Sequence, residues 1–279
     1  MTTGLRCWVR RCSLLFTAAL GISCGESPAP QVRATIGQWI WTRTDLARFS
    51  ESRAQQPGLE AAVFIGYIQC DTISKRLLAH AGLSASEPHA ESVTAVIRFE
   101  DGLERCRVAA SSEADFARRL DSAVSLLRNR ARSVPLAAIQ LDYDAPRRAL
   151  GKWAASVEQL QRHALRGDTV WVTSLIAHLR DPSYGELFRG VVRGHVLQVF
   201  DTGEPSTVAQ VDEAVRLARR ARIPFRIGLG AFERETRSGR TDHRAWFATV
   251  SQFRSIDGFR GVWIFPGGQR WISLLTQGT

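Results

Sequence analysis

Gln140, Asp142 and Asp144 alternate through the segment Pro135–Pro146, PLAAIQLDYDAP. Four apolar residues lead into them and Pro146 closes the run, which is too short for a helix and bounded like a buried strand. Side chains alternate across a strand, so the three polar groups share one face, with neighbours about 7 Å apart. Burying them is costly unless something pairs or uses them. Two carboxylates so placed can act as base, nucleophile or clamp for a ligand hydroxyl, and burial perturbs both. The alternative is a structural pair satisfied by backbone amides or an arginine.

Two further carboxylates follow strand-like runs. Asp201 ends Val196–Phe200 and either faces the same rim as Asp144 or caps a helix before Thr202 and Gly203. Glu233 follows Phe225–Leu229 and makes the sharpest catalytic pairing with Asp144; within its charged run it also reads as a solvated loop residue. Trp39 and Trp41 on the first strand and Trp263 on the last offer faces on which a sugar ring can stack, Trp263 best, with core packing as the plain alternative. Asp142, Asp144 and Glu233 are thus the candidate catalytic groups. Gln140, Trp39, Trp41, Asp201 and Trp263 are the candidate ligand contacts. His178 and His195 lie near strand ends, where a lone histidine is most often structural. No Ser-His-Asp order, phosphate-binding glycine motif or Cys/His metal spacing occurs, so no cofactor and no metal is expected.

Something must hold these residues on one rim, and the periodicity of the chain supplies it. Strand-like runs cover Ile36–Arg43, Ala61–Cys70, Val93–Glu100, Leu136–Asp144, Thr169–Leu175, Val196–Phe200, Phe225–Leu229 and Gly261–Phe265. Helical stripes lie between them at Asp115–Arg132, Leu150–Leu165, Tyr184–Phe188, Val208–Ala221 and Arg244–Phe253. Strands alternating with helices imply a parallel sheet, and this many units predict an α/β fold, a single (β/α)8 TIM-type barrel over residues 35–279. The stretch 71–110 fits least well. It reads as a helix over Ser74–Ala81 and a hairpin turn at Asp101-Gly102 leading into Glu104–Ala110, so the barrel is expected to be irregular there.

The N-terminus belongs to a different economy. Arg6, Arg10 and Arg11 precede the apolar Ser13–Ile22, a pattern too short to span a bilayer and typical of a secretory signal over residues 1–23. Leu20-Gly21-Ile22-Ser23-Cys24 resembles a bacterial lipobox, which implies a lipidated Cys24 and a tether over residues 24–34. A plain secretory signal with an incidental cysteine is the alternative. Gly25 is not the aspartate that commonly retains lipoproteins at the inner membrane, so an envelope protein facing the periplasm, at the outer membrane, is expected. The membrane is then met only through the anchor.

Of the 279 residues, 37 are basic and 27 acidic, a net charge of +10. Three of the arginines leave with the signal, so the mature chain carries 34 basic residues against 27 acidic ones. They are dispersed among acids, as at Glu233-Arg234-Glu235, which argues against a nucleic-acid partner. Cys7 and Cys12 leave too. Cys70 and Cys106 remain, at ends of strand-like segments, and either a disulfide or two reduced thiols fits them.

Paired tryptophans on strand one, IQLDYDAP after a helix, VLQVFD and the late GVWIFPGG resemble the bacterial domain of unknown function 3142 family, from roughly Ile36 to the end. That resemblance implies a glycoside-hydrolase-like barrel. A looser resemblance is to chitinase-type barrels, whose fourth strand ends D-x-x-D-x-D-x-E. Asp142 and Asp144 match its last two aspartates, Ile139 stands for the first, and Pro146 for the catalytic glutamate. Without that glutamate the leaving oxygen lacks its usual acid. Two functions therefore stay open: an enzyme acting on an envelope or imported glycan, and a non-catalytic glycan-binding or scaffold protein. Either takes a glycan or other small polar ligand.

Overall fold

The computed structural model describes residues 34–201, 207–236 and 239–275. The signal segment, Cys24 and the tether up to residue 33 lie outside them. β1 (Thr35–Ile40) leads to α1 (Arg43–Gln55), β2 (Glu60–Cys70) and β3 (Leu77–Ala81). β4 (Val93–Phe99) is followed by α2 (Leu103–Ala109), α3 (Glu113–Arg130), β5 (Leu136–Asp142) and α4 (Leu150–Arg162). β6 (Val170–Leu175), the short α5 (Ile176–Leu179) and α6 (Tyr184–Phe188), β7 (Gly194–Gln198) and α7 (Val208–Ala221) come next. β8 (Phe225–Gly230), the hairpin of β9 (Glu233–Thr236) and β10 (Gly239–Asp242), α8 (Val250–Arg254), β11 (Phe259–Phe265) and α9 (Ile272–Leu275) complete the order.

β1, β2, β4, β5, β6, β7, β8 and β11 pair in parallel in that sequence, and β11 pairs back onto β1. The sheet closes into a (β/α)8 barrel, so every strand of the ring has two neighbours. β3 stands outside the ring and runs antiparallel to the outer half of β2.

Three local expectations are corrected here. Strand one stops at Ile40 because Thr42 opens a helix: its hydroxyl accepts from the Asp45 amide at 3.1 Å, while Asp45 accepts from the Thr42 amide at 3.0 Å. Ser74–Ala81 does not form a helix, because its second half, Leu77–Ala81, is captured by backbone pairing along the long β2. Glu104–Ala110 is helical, because Gly102 takes the left-handed conformation, φ 94°, and turns the chain into α2 instead of closing a hairpin. Cys106 on α2 then meets Cys70 at the end of β2, Cα to Cα 5.6 Å, and the two form a disulfide.

Two cores result. The outer one lies between strands and helices. Leu120, Val124 and Leu127 of α3 and Trp153, Val157 and Leu160 of α4 are buried there; each such side chain contributes about 1.5–3 kcal/mol. The inner one fills the barrel with Trp39, Trp171, Trp263, Val96, Val196 and Phe200. Three indoles fit only where neighbouring strands give up side chains. A Cβ on Gly228 would lie 2.7 Å from the Trp39 ring, and one on Gly37 would lie 3.1 Å from Trp263. Below them Arg226, paired with Glu60 at 3.3 Å, has its guanidinium 4.3 Å from the centre of Trp171 and 4.8 Å from that of Trp263. The barrel has a solid floor.

Candidate ligand-binding site

Above that floor, at the C-terminal ends of the strands, a cavity of about 380 Å³ opens. Its walls are Trp39 from β1 and Trp41 just beyond it, Arg98 from β4, Asp142 and Asp144 at and beyond the end of β5, and Gln198, Phe200 and Asp201 at and beyond the end of β7. Arg234 and Phe265 complete them.

β4 and β5 are in register with Arg98 opposite Asp142, so both point inward on one level. Arg98 Nη1 donates to Asp142 Oδ2 at 3.0 Å, and its other nitrogens lie 3.3 Å from Glu100 and 3.6 Å from Asp144. The guanidinium also sits 5.7 Å from the centre of the Trp41 ring. One arginine thus meets three carboxylates. Burial raises the Asp142 pKa above the ordinary carboxylate range; Arg98 opposes this and Asp144 adds to it. Asp144 is raised for the same first reason, with Arg98 opposing and Asp101, Glu100 and Asp201 pushing it further up. Asp142 is almost fully covered, whereas 37% of the Asp144 side chain is exposed, and Asp144 Oδ1 has no hydrogen-bond partner among the described residues. Asp144 is the more exposed carboxyl of the pair, although its unpartnered Oδ1 is itself covered.

Asp201 reaches the same cavity from the end of β7, its φ of 54° turning the chain at the rim. Its Oδ2 lies 2.9 Å from Arg234 Nη1 and its Oδ1 3.3 Å from His243 Nε2. Aromatic faces line the rest. Trp41 stacks on Phe64 with centroids 4.6 Å apart, and Phe200 stacks on Phe265 at 5.4 Å. Flat apolar surface beside carboxylates and a guanidinium suits a polyhydroxylated ring with apolar C–H faces.

The candidates from the sequence divide accordingly. Asp142, Asp144, Asp201, Trp39 and Trp41 are brought together. Gln140 is buried a layer below the cavity, accepting from Trp39 Nε1 at 3.0 Å and donating to Thr173 at 2.8 Å. Trp263 is fully buried, its edge against Trp39 at 5.6 Å, and presents no face to a ligand. Glu233 lies on the β9–β10 hairpin, bound to Arg244, outside the cavity wall. His178 and His195 are structural: His178 bridges the Leu175 amide and the Ala145 carbonyl, and burial pushes His195 down to about 3. Arg98, Gln198, Phe200, Arg234 and Phe265 are the wall residues that sequence reasoning missed; for Arg98 a charge at an inward position of the otherwise apolar VTAVIRF was the available signal. Among the described residues no cluster of His, Cys, Asp and Glu could hold a metal ion.

No family model matches the chain, and neither does any curated protein. Solved structures do resemble it. The spore cortex-lytic enzyme SleL of Bacillus megaterium superposes with a TM-score of 0.60 at 12% identity, over 90% of this chain and 76% of that one. The chitinase RmChi1 of Rhizomucor miehei gives 0.58 at 12% identity, over 87% and 98%. A GH18 chitinase of Cycas revoluta in complex with (GlcNAc)4 gives 0.58 at 12%, over 88% and 98%. The chain therefore shares the (β/α)8 barrel fold of these proteins. The likeness to the domain of unknown function 3142 family gains no support from the family comparison.

Proposed function

We propose that this chain is an exported, lipid-anchored envelope protein whose barrel mouth binds a glycan. The observation that carries the reading is the cavity itself, lined by the Trp41, Phe200 and Phe265 rings together with Asp144, whose side chain is partly exposed. Stacking surface and a carboxyl poised to accept or donate a hydroxyl hydrogen bond are the two elements sugar recognition needs. The barrel's likeness to chitinases, one of them holding an N-acetylglucosamine tetramer, supports the ligand class. The disulfide suits an oxidising compartment and so supports export.

Hydrolysis is a second reading, favoured by one observation: Asp144 and Asp201 line the same cavity, and Asp144 has a raised pKa while Asp201 is ion-paired. A chitinase-type mechanism is disfavoured, because Pro146 stands at the position of the acid and is followed at once by the turn Arg147–Ala149.

The deciding experiment presents the purified protein with a panel of soluble N-acetylglucosamine oligomers and envelope glycan fragments, and follows both binding and release of reducing ends. Saturable binding that Asp144→Asn and Trp41→Ala weaken, without release, is the expected result. Release lost in Asp144→Asn would establish hydrolysis instead, and absence of any binding would sink both. Cys24→Ala should abolish fatty-acid labelling and render the protein extractable from membranes by high salt. A labelled or salt-resistant Cys24→Ala protein ends the anchor assignment.

A further inference from the structure

We infer that the N-terminal face of the barrel, opposite the cavity, is a docking surface for an anionic phospholipid bilayer. In a (β/α)8 barrel the helices run back antiparallel to the strands, so the loops that lead into the strands gather on that face. Four successive helix-to-strand connections there carry exposed arginines: Arg132 before β5, Arg166 before β6, Arg189 and Arg193 before β7, and Arg219, in the last turn of α7, with Arg222 before β8. β5, β6, β7 and β8 are adjacent in the ring, so these residues form one continuous arc. Part of it, with Arg189, Arg219 and Arg222, walls an open groove between α6 and α7.

Arginine outnumbers acid along this arc: its groove holds five arginines and one carboxylate, Glu186. None of the six has an ion-pair partner among the described residues. Two nearby acids are engaged elsewhere: Asp168 receives a two-pronged bond from Arg128 at 2.9 and 3.0 Å, and Glu158 binds Arg162; Glu186 lines the groove beside Arg189 and offsets part of the charge. A helix C-terminus favours a cation in its last turn, which accounts for Arg219, but Arg166 and Arg193 lie well past the ends of α4 and α6. The mouth is different in character: its aspartates and arginines are interlocked, as at Arg98, Asp201 and Arg147.

The occupant is argued from the residues that precede β1. Thr35 opens β1 on this same face, and Cys24 lies eleven residues upstream. Eleven residues reach at most about 40 Å, so an anchor at Cys24 would limit how far this face can stand from the bilayer. This step rests on the lipoprotein reading proposed above. Each arginine near an anionic surface strengthens association, within the roughly 8 Å screening length of physiological salt.

The test uses the unlipidated Cys24→Ala protein, so that lipid attachment and surface charge are read separately. It is sedimented with vesicles of phosphatidylcholine alone and of equimolar phosphatidylcholine and phosphatidylglycerol. Binding to the anionic vesicles alone, lost as salt is raised, is expected. Replacing Arg193, Arg219 and Arg222 together by Gln should weaken it by about fivefold for each arginine removed. The matched change of Arg105, Arg147 and Arg148, on the mouth side, should leave it unaltered. Equal binding to neutral vesicles, equal loss in both triple variants, or binding to a soluble polyanion such as heparin but to neither vesicle overturns the proposal. Failure of Cys24 labelling in the parent protein removes the anchor and leaves this measurement intact.

Discussion

Arg98 and Asp142 face each other across β4 and β5, 3.0 Å apart, 44 residues apart in sequence and in direct register. The carboxylate is almost wholly covered and the arginine is its charge partner. Breaking a buried pair costs more than the pair contributes, because the remaining charge keeps its desolvation penalty. Arg98→Met should therefore destabilise the protein by about 3 kcal/mol, at the low end of the usual range since a third of Arg98 is exposed. Urea midpoints check this, and a midpoint unchanged from the parent would show that Asp142 is neutral without Arg98.

Asp144 yields a pH dependence. Its folded-state pKa is raised, chiefly by burial, so the folded protein holds this proton more tightly than the unfolded chain. The associated stability is complete below the ordinary aspartate value and is lost as pH rises through the higher folded value. Asp144→Asn, which cannot ionise, should be at least as stable as the parent at pH 7. The difference should close as the pH falls below about 3.8. Thermal unfolding across pH 3–8 measures it, and a variant less stable at pH 7 would make Asp144 a structural group.

The glycine beneath the site is as demanding as the carboxylates in it. Gly228→Ala puts a methyl 2.7 Å from the Trp39 ring, and overpacking of this kind costs about 1–3 kcal/mol. The indole must tilt, which strains its bond to Gln140. A shift in tryptophan fluorescence should accompany the loss of stability, and an unshifted spectrum at full stability would refute the packing account.

Cys70 and Cys106 are 36 positions apart, and closing that loop restricts the unfolded chain by about 3–4 kcal/mol in the entropic model. Cys106→Ser should lower the denaturation midpoint correspondingly, and reductant should lower that of the parent while leaving the variant unmoved. A midpoint insensitive to reductant is the contrary result.

The ring of strands was legible because each buried strand is a short apolar run punctuated by turn residues, and because α3, α4 and α7 carry apolar stripes of helical period. Asp142 and Asp144 announced themselves by alternation within one strand. What was illegible depends on pairing between distant segments. LLAHA has no β-branched residue, and only its backbone pairing along β2 makes it a strand. The helix Arg43–Gln55 has a narrow apolar side and was passed over, although Thr42 and Asp45 cap it firmly. Gln140 looked like a ligand contact until Trp39, 101 residues away, proved to occupy its oxygen. Trp263 looked like a stacking platform because a strand's alternation tells which face a residue takes and not how deep along the barrel axis it lies.

The floor built by Trp39, Trp171, Trp263 and Arg226 governs traffic as well as stability. A barrel sealed beneath its cavity has one door. Whatever occupies the site must depart by the route it came, and a successor waits outside until it does. Turnover of ligand is then strictly sequential, and the time the site stays closed to newcomers is set by the departure rate alone.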